Sequence, residues 1–349
     1  MLAVYAGKRL LITGAGGFIG SALTVALAAG SPRFLVLLDN SENNLHEIAV
    51  TLREQHPAEH AAILGDVCDP AAMAELLERY RPEIIFHAAA CKHVPLMESN
   101  PLAAMRANAL GTWKLLRAAK LFHVAQVLLT STDKAVKPAS VMGASKRVAE
   151  LALERNDSGH MILQTVRLGN VLGSHGSVGP LFARQIARGG PVTVTHPEVE
   201  RYFFTLEETV EIILSAASLR ETGTFIPKLR PPVRIVDLAE RMIREARNDN
   251  SGEVPIKFTE MRPGDKLREE FLNDGEIAES THDQRQLLLR VRRLRIDAVQ
   301  FDVAMAQLEE AVEQRQLGRA MDILRALVPD YRPSAAVLEL LHQASVAKA

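Results

Sequence analysis

Cysteine is almost absent from this chain: its 349 residues contain two, Cys68 and Cys91. That is too few for a disulfide framework or a four-thiolate zinc site, and it suits a reducing compartment. A surplus of charge is missing as well. The 41 Lys and Arg nearly cancel the 42 Asp and Glu, leaving −1, so nothing suggests a dedicated nucleic-acid surface or an acidic tail, and an anionic ligand must be met locally. No window reaches the ~18 uninterrupted apolar residues of a membrane span, and the opening MLAVYAGKRLLITG has neither the basic region nor the cleavage site of a secretory signal. We therefore expect a cytoplasmic protein without metal centre, nucleic-acid partner or membrane segment. What the chain does have is apolar mass. At 47% hydrophobic residues it can fill the core of one large domain or two modest ones.

From Lys8 to about Val166, short aliphatic runs alternate with longer segments of helical period, the pattern of parallel strands joined by crossover helices. Strands are expected at Arg9–Thr13, Phe34–Asp39, Ala61–Leu64, Ile84–Ala88, Gln126–Thr130 and Met161–Arg167. Helices are expected at Ile19–Ala29, Asn43–His56, Ala71–Tyr80, Pro101–Phe122 and Val141–Arg155. This predicts an α/β fold: a doubly wound parallel sheet over residues 1–167 and a smaller mixed α/β substrate-binding lobe over 168–290, some of whose segments return to the first domain. Residues 291–349 read as a helical segment, helix, turn, helix, with its break at Val328-Pro329.

The first strand runs directly into Gly14-Ala15-Gly16-Gly17-Phe18-Ile19-Gly20 and then a helix. In that context Gly14 permits the tight turn, Gly17 lets backbone N–H groups approach a pyrophosphate, and Gly20 allows close packing of helix on strand. The helix N-terminus adds positive potential. Asp39 closes the second strand nineteen positions after Gly20, close to the ~20 at which an acidic side chain takes the ribose 2′-hydroxyl of NAD. A carboxylate there disfavours NADP, although an aspartate that merely ends a strand has the same appearance. Asp66, before Val67, follows the third strand and is a candidate for the adenine amino group, or simply a turn residue.

The spacing T-G-x-x-G-x-x-G resembles the extended short-chain dehydrogenase/reductase (SDR) superfamily, a Rossmann fold. Longer motifs narrow the resemblance: Leu38 to Leu45, His87 to Glu98, Ser131 to Val136, Asn170 to Ser177, Arg201 to Thr205 and Arg262 to Leu267. They resemble the CapD-like nucleotide-sugar 4,6-dehydratases of bacterial polysaccharide biosynthesis, over roughly residues 7 to 335. Many relatives carry membrane helices ahead of this region, whereas this sequence is expected to begin at the catalytic domain. The resemblance implies a lyase acting on a UDP-linked amino sugar, most often UDP-GlcNAc. Tightly held NAD would oxidise C4, water would leave across C5 and C6, and the hydride would return to C6. It further implies that Asn40, Ser41, Ala88, Ala89 and Ala90 join the cofactor site, and that the helices Pro101–Phe122 and Val141–Arg155 pair into a four-helix dimer interface, making a homo-oligomer; helices that simply cover the sheet would need no dimer.

Most of the superfamily use Tyr-x-x-x-Lys, whose lysine holds the nicotinamide ribose and lowers the tyrosine pKa. Here the frame is Met142-Gly143-Ala144-Ser145-Lys146, and a thioether cannot pass on a proton at neutral pH. Only four tyrosines exist, Tyr5, Tyr80, Tyr202 and Tyr331, and none is near this frame in sequence. Either catalysis has been lost or the acid–base work has moved to Thr132-Asp133-Lys134, just beyond the fifth strand. Asp133 as a protonated acid for the 6-hydroxyl, Lys134 as a base of depressed pKa for the C5 proton, and Thr132 as a relay from the 4-hydroxyl would serve an elimination. A capped turn with a solvated lysine is the structural alternative. Lys146 keeps the ribose role. Lys92 and His93 are candidates to touch substrate or cofactor. Asn170, Arg262 and Arg201 are candidates for the diphosphate, and Asp265 for the uridine ribose. An epimerase on the same sugar nucleotide and a non-catalytic NAD or nucleotide-sugar binder are the competing functions.

Overall fold

The computed structural model describes residues 2–56, 58–156, 160–174, 176–246, 254–283, 285–292 and 299–346; His175 of the Asn170 to Ser177 motif lies outside them. Six strands appear almost where their apolar runs put them: β1 Arg9–Thr13, β2 Phe34–Asp39, β3 His60–Leu64, β4 Ile84–His87, β5 Gln126–Thr132 and β6 Ile162–Leu168. All pair in parallel, in the order β6-β5-β4-β1-β2-β3. The chain winds outward from β1 in one direction and then in the other. This leaves a crevice over the carboxyl ends of β1 and β4, where a doubly wound sheet binds its ligand.

The sheet does not stop at β6. Gly223–Pro227 adds in parallel, and Leu288–Arg292 and Ile277–Ser280 follow antiparallel, giving nine strands among the described residues. The smaller lobe comes from what lies between. Its core is Phe182, Val192, Val194, Val199, Ile235 and Ala239, built on the helices Val178–Ala187 and Ile235–Ala246.

Three expectations need correcting. β5 runs on through Thr132, so Thr132 ends the strand instead of following it. The long helix at Pro101–Phe122 is interrupted by π-type turns at Met105–Leu110. There the buried Asn108 turns inward: its Oδ1 accepts from Cys91 N (2.8 Å) and its Nδ2 donates to Cys91 O (3.0 Å) and Ser145 Oγ (2.9 Å), the kind of irregularity found at functional sites. Among its described residues the final segment has three helices, Val299–Glu313, Leu317–Leu327 and Ala335–Val346. The extra break falls at Arg315, with φ +55°, an arginine where glycine would be the usual residue.

The last helices pack back on the first domain. Met305, Leu308, Met321 and Leu324 share one core with Met105, Trp113, Leu116 and Val148, while Trp113 Nε1 donates to Asp302 (3.0 Å) and Lys114 pairs with Glu309 (2.6 Å). Helices that the resemblance assigns to a subunit interface are thus covered, in part, by the same chain. Ser334 reaches further and donates to Glu98, whose other oxygen accepts the Val141 N–H (2.7 Å) that opens the helix Val141–Arg155.

Under the sheet, β6 buries Arg167 completely. Its guanidinium bonds Glu150 (2.9 and 3.0 Å), Glu276 (2.6 and 3.1 Å) and Phe271 O (2.7 Å), and Ser131 of β5 donates to Glu150 (2.8 Å). Removing one partner of such a pair strands the other charge in low dielectric. Glu150→Ala is expected to lower the stability by about 3–5 kcal/mol, measured by urea unfolding.

Candidate active site

The glycine turn forms the crevice floor. Gly14 takes φ +67°, and a Cβ there would stand 2.7 Å from Ala89 N, so the strand end after β4 lies directly against the turn. At Gly20 a Cβ would come within 1.9 Å of Gly14 O, so only glycine lets helix Phe18–Ala28, opened by Phe18 and Ile19, sit this close. Asp39 is fixed by two backbone donors, Gly16 N and Ser41 N, each at 2.9 Å. Ser41 in turn caps the next helix. The resulting cavity is about 270 Å³, lined on one side by Gly14, Gly17, Asp39, Asn40 and Ser41 and on the other by Asp66, Val67 and Ala88 to Cys91. A glycine turn at a helix N-terminus opposite a fixed carboxylate fits a dinucleotide with a free ribose 2′-hydroxyl. Asp66 is already engaged by Arg106 (2.8 Å) and Cys68 N (2.9 Å). Burial pushes its pKa up, but these partners outweigh it and hold the carboxyl below its ordinary value.

Behind the turn, His87 ends β4 in full burial between Thr13 Oγ1 (2.7 Å from Nδ1) and Thr112 Oγ1 (3.0 Å from Nε2). Thr112 donates its own proton to Asn108 O (2.7 Å), which makes Nε2 the protonated ring nitrogen. Burial, helped by the nearby Lys146 charge, pushes the imidazole down to about 3, so it stays neutral.

The second half of the site gathers at the end of β5. Asp133 Oδ1 accepts from both Thr132 Oγ1 (2.8 Å) and Lys134 Nζ (2.9 Å), and its Oδ2 is buried with no hydrogen-bond partner. Lys134, one-fifth exposed at 21%, also donates to Asn170 Oδ1 (3.2 Å) and lies 3.7 Å from Glu269 Oε1. The expectation of a depressed Lys134 is wrong for this arrangement. Burial pulls its pKa down, but Asp133 and Glu269 outweigh burial, and the ammonium is held above its ordinary value. The depressed lysine is Lys146: buried and donating to Thr130 O (2.7 Å), it is pushed down to about 8 by burial, against the pull of Glu150.

The remaining candidates divide. Met142 is buried in the first turn of its helix. Tyr202 has folded back from the second lobe, but its ring packs edge-on against Phe271 (5.4 Å) while its carbonyl accepts from Asn170 N (2.8 Å). Asn170, expected at the diphosphate, sits beside Lys134. Arg201, expected there too, is buried and donates to Glu200 O (2.8 Å) and Leu267 O (3.1 Å), so it braces the loop. Arg262 and Asp265 meet as a pair (2.8 Å), with the guanidinium half exposed. His93 precedes the helix Val94–Glu98, its ring against the Gly176 turn, and Lys92 is exposed beside it. Sequence reasoning missed Glu269, His87 and Asn108. Glu269 stands two residues beyond a motif already singled out, but between charged neighbours it reads as a solvated face.

A family profile described as polysaccharide biosynthesis protein matches residues 10–290. The capsular polysaccharide biosynthesis protein CapD of Staphylococcus aureus is 42% identical over 295 residues, which are 83% of this chain and 48% of CapD, so the chain spans about half the length of that relative. A UDP-glucose 4-epimerase of Rickettsia rickettsii is 31% identical over 79% of this chain and 81% of the epimerase. Among solved structures, DesIV of Streptomyces venezuelae, a dTDP-glucose 4,6-dehydratase with NAD and DAU bound, superposes with a TM-score of 0.65 at 22% identity, covering 75% of this chain and 87% of DesIV.

Asp39→Ala removes the partner of Gly16 N–H and the acceptor facing the cavity. Charged hydrogen bonds of this kind contribute about 1.5–3 kcal/mol, so calorimetric titration with NAD should show affinity falling roughly tenfold to a hundredfold.

Proposed function

The chain belongs to the polysaccharide biosynthesis protein family, among the extended short-chain dehydrogenases/reductases that include nucleotide-sugar dehydratases and epimerases, and from this premise we propose that it is an NAD-dependent 4,6-dehydratase of a UDP-linked N-acetylhexosamine, with UDP-GlcNAc the foremost candidate. The observation that carries this reading is the sharing of one Asp133 oxygen by the Thr132 hydroxyl and the Lys134 ammonium beside the dinucleotide crevice. A hydride-transferring enzyme that also eliminates water needs a proton path from the 4-hydroxyl, an acid at O6 and a base at C5, and this triplet supplies three linked groups.

The cavity residues Gly14, Gly17, Asp39 and Ala88 to Ala90 would hold NAD, with Lys146 at its ribose. Bound NAD supplies the oxidising and reducing power at C4 and C6, and the C4 ketone makes the C5 proton acidic. Thr132, donating to Asp133 at rest, passes its proton inward as it takes that of the 4-hydroxyl, which leaves Asp133 as a carboxylic acid. Asp133 then delivers this proton to O6, which departs as water. Lys134 gives its resting proton to water, removes the C5 proton as the free amine, returns one to C5, and is reprotonated from water as the cycle closes. Arg262 and Asp265 are suited to the diphosphate and the uridine ribose. Met142, buried in the core at the start of its helix, carries no proton.

The second reading, a 4-epimerase on the same sugar nucleotide, is favoured by the Rickettsia relative. It leaves the Asp133 and Lys134 pair without a task, because simple 4-epimerisation needs no base at C5. Incubation with UDP-GlcNAc in deuterated water separates the two: a 4-keto-6-deoxy product carrying deuterium at C5 is expected, whereas UDP-GalNAc alone would overturn the dehydratase. Asp133→Asn is expected to lower turnover by about 10²–10⁴-fold, measured by 4-keto sugar absorbance, with NAD affinity retained.

A further inference from the structure

Glu269 is a nearly fully buried carboxylate, 2% exposed, that the scheme above leaves without a task. Its Oε1 lies 3.7 Å from Lys134 Nζ and its Oε2 2.6 Å from Lys266 Nζ, and the buried Arg201 is near enough to act on its charge. Each cation is anchored by something else as well: Lys266 by Val136 O (3.0 Å), Arg201 by the Glu200 and Leu267 carbonyls, Lys134 by Asp133 and Asn170. The neighbouring Glu200 is taken by Arg268. Lys134 therefore lies between two carboxylates, one in hydrogen-bond contact and one beyond that range, and the outer one acts by charge and placement. Burying a carboxylate carries a desolvation penalty that a purely apolar filler would avoid.

We propose that Glu269 is a positioning residue for the dehydration, holding Lys134 as a cation in the gap between Asp133 and Asn170 until Asp133 is neutralised. The inference rests on the dehydratase reading. While Asp133 is ionised, two negative charges keep the proton on Lys134. Once Asp133 has received the sugar's 4-hydroxyl proton through Thr132, only Glu269 remains, and Lys134 can release its proton to water on its exposed side. The free amine then accepts the C5 proton as Asp133 protonates the departing O6, so the elimination leaves Lys134 charged and Asp133 ionised again. The order of events keeps the base masked until oxidation has begun.

The test uses the full chain with ¹³Cε-labelled lysine, the Lys134 resonance being assigned by its loss in Lys134→Arg. In Glu269→Gln that resonance is expected to titrate about one pH unit lower than in the native protein, and the ascending limb of kcat for UDP-GlcNAc should move down with it. Glu269→Asp, which keeps the charge, should lower kcat with the limb near its native position. Lys266→Met frees Glu269 from one of its cations and should move both readouts upward. A Lys134 resonance that stays put or rises in Glu269→Gln, or falls in Lys266→Met, overturns the proposal. Should the native protein make no 4-keto sugar, the dehydratase reading fails separately, and the lysine titration still decides whether Glu269 governs Lys134.

Discussion

A guanidinium taken wholly out of water is a liability that the surrounding chain must answer, and at Arg167 the answer organises the molecule. Glu150 reaches it from the helix that carries Met142 and Lys146, and Glu276 and the Phe271 carbonyl reach it from the loop that follows Glu269. The helix directly precedes β6 and the loop lies about a hundred residues further on, yet both must arrive at β6 for the charge to be tolerated. The network thereby fixes the helix and the loop to the same strand, next to the β5 end where Thr132, Asp133 and Lys134 lie. Precision in the site is inherited from an ion cluster that takes no part in the chemistry.

Above that cluster the crevice is organised by contrasting environments. Two lysines stand near the end of β5, and their surroundings drive them in opposite directions: Lys146, with a carbonyl for a partner, is pushed down, while Lys134, between carboxylates, is held up. Residue type alone does not distinguish them. The distinction comes first from Asp133, the adjacent residue, and then from Glu269, delivered by a loop more than a hundred residues away in sequence.

Much of the first domain could be read from the chain. Aliphatic runs such as Leu10 to Ile12 and Leu35 to Leu38 are buried on both faces of a parallel sheet, which leaves them little choice of structure. The glycine turn and Asp39 were legible because backbone approach and hydrogen-bond geometry constrain residue type at each position. Less legible was anything set by long-range partners. The Glu269 share of the raised Lys134, the contact of Arg201 with Leu267 and the inward turn of Asn108 depend on neighbours that sequence spacing does not bring together. The break at Arg315 escaped because its left-handed backbone is carried by a residue with no local preference for it.

The grip of Ser334 and Val141 on opposite oxygens of Glu98 has a mechanical consequence. Besides the core they share, the closing helices and the turn bearing Met142 are pinned together by one carboxylate. Strain applied around Ser334, whether from a fused handle or a docked neighbour, is passed to the first turn of the helix that carries Lys146 one turn further on.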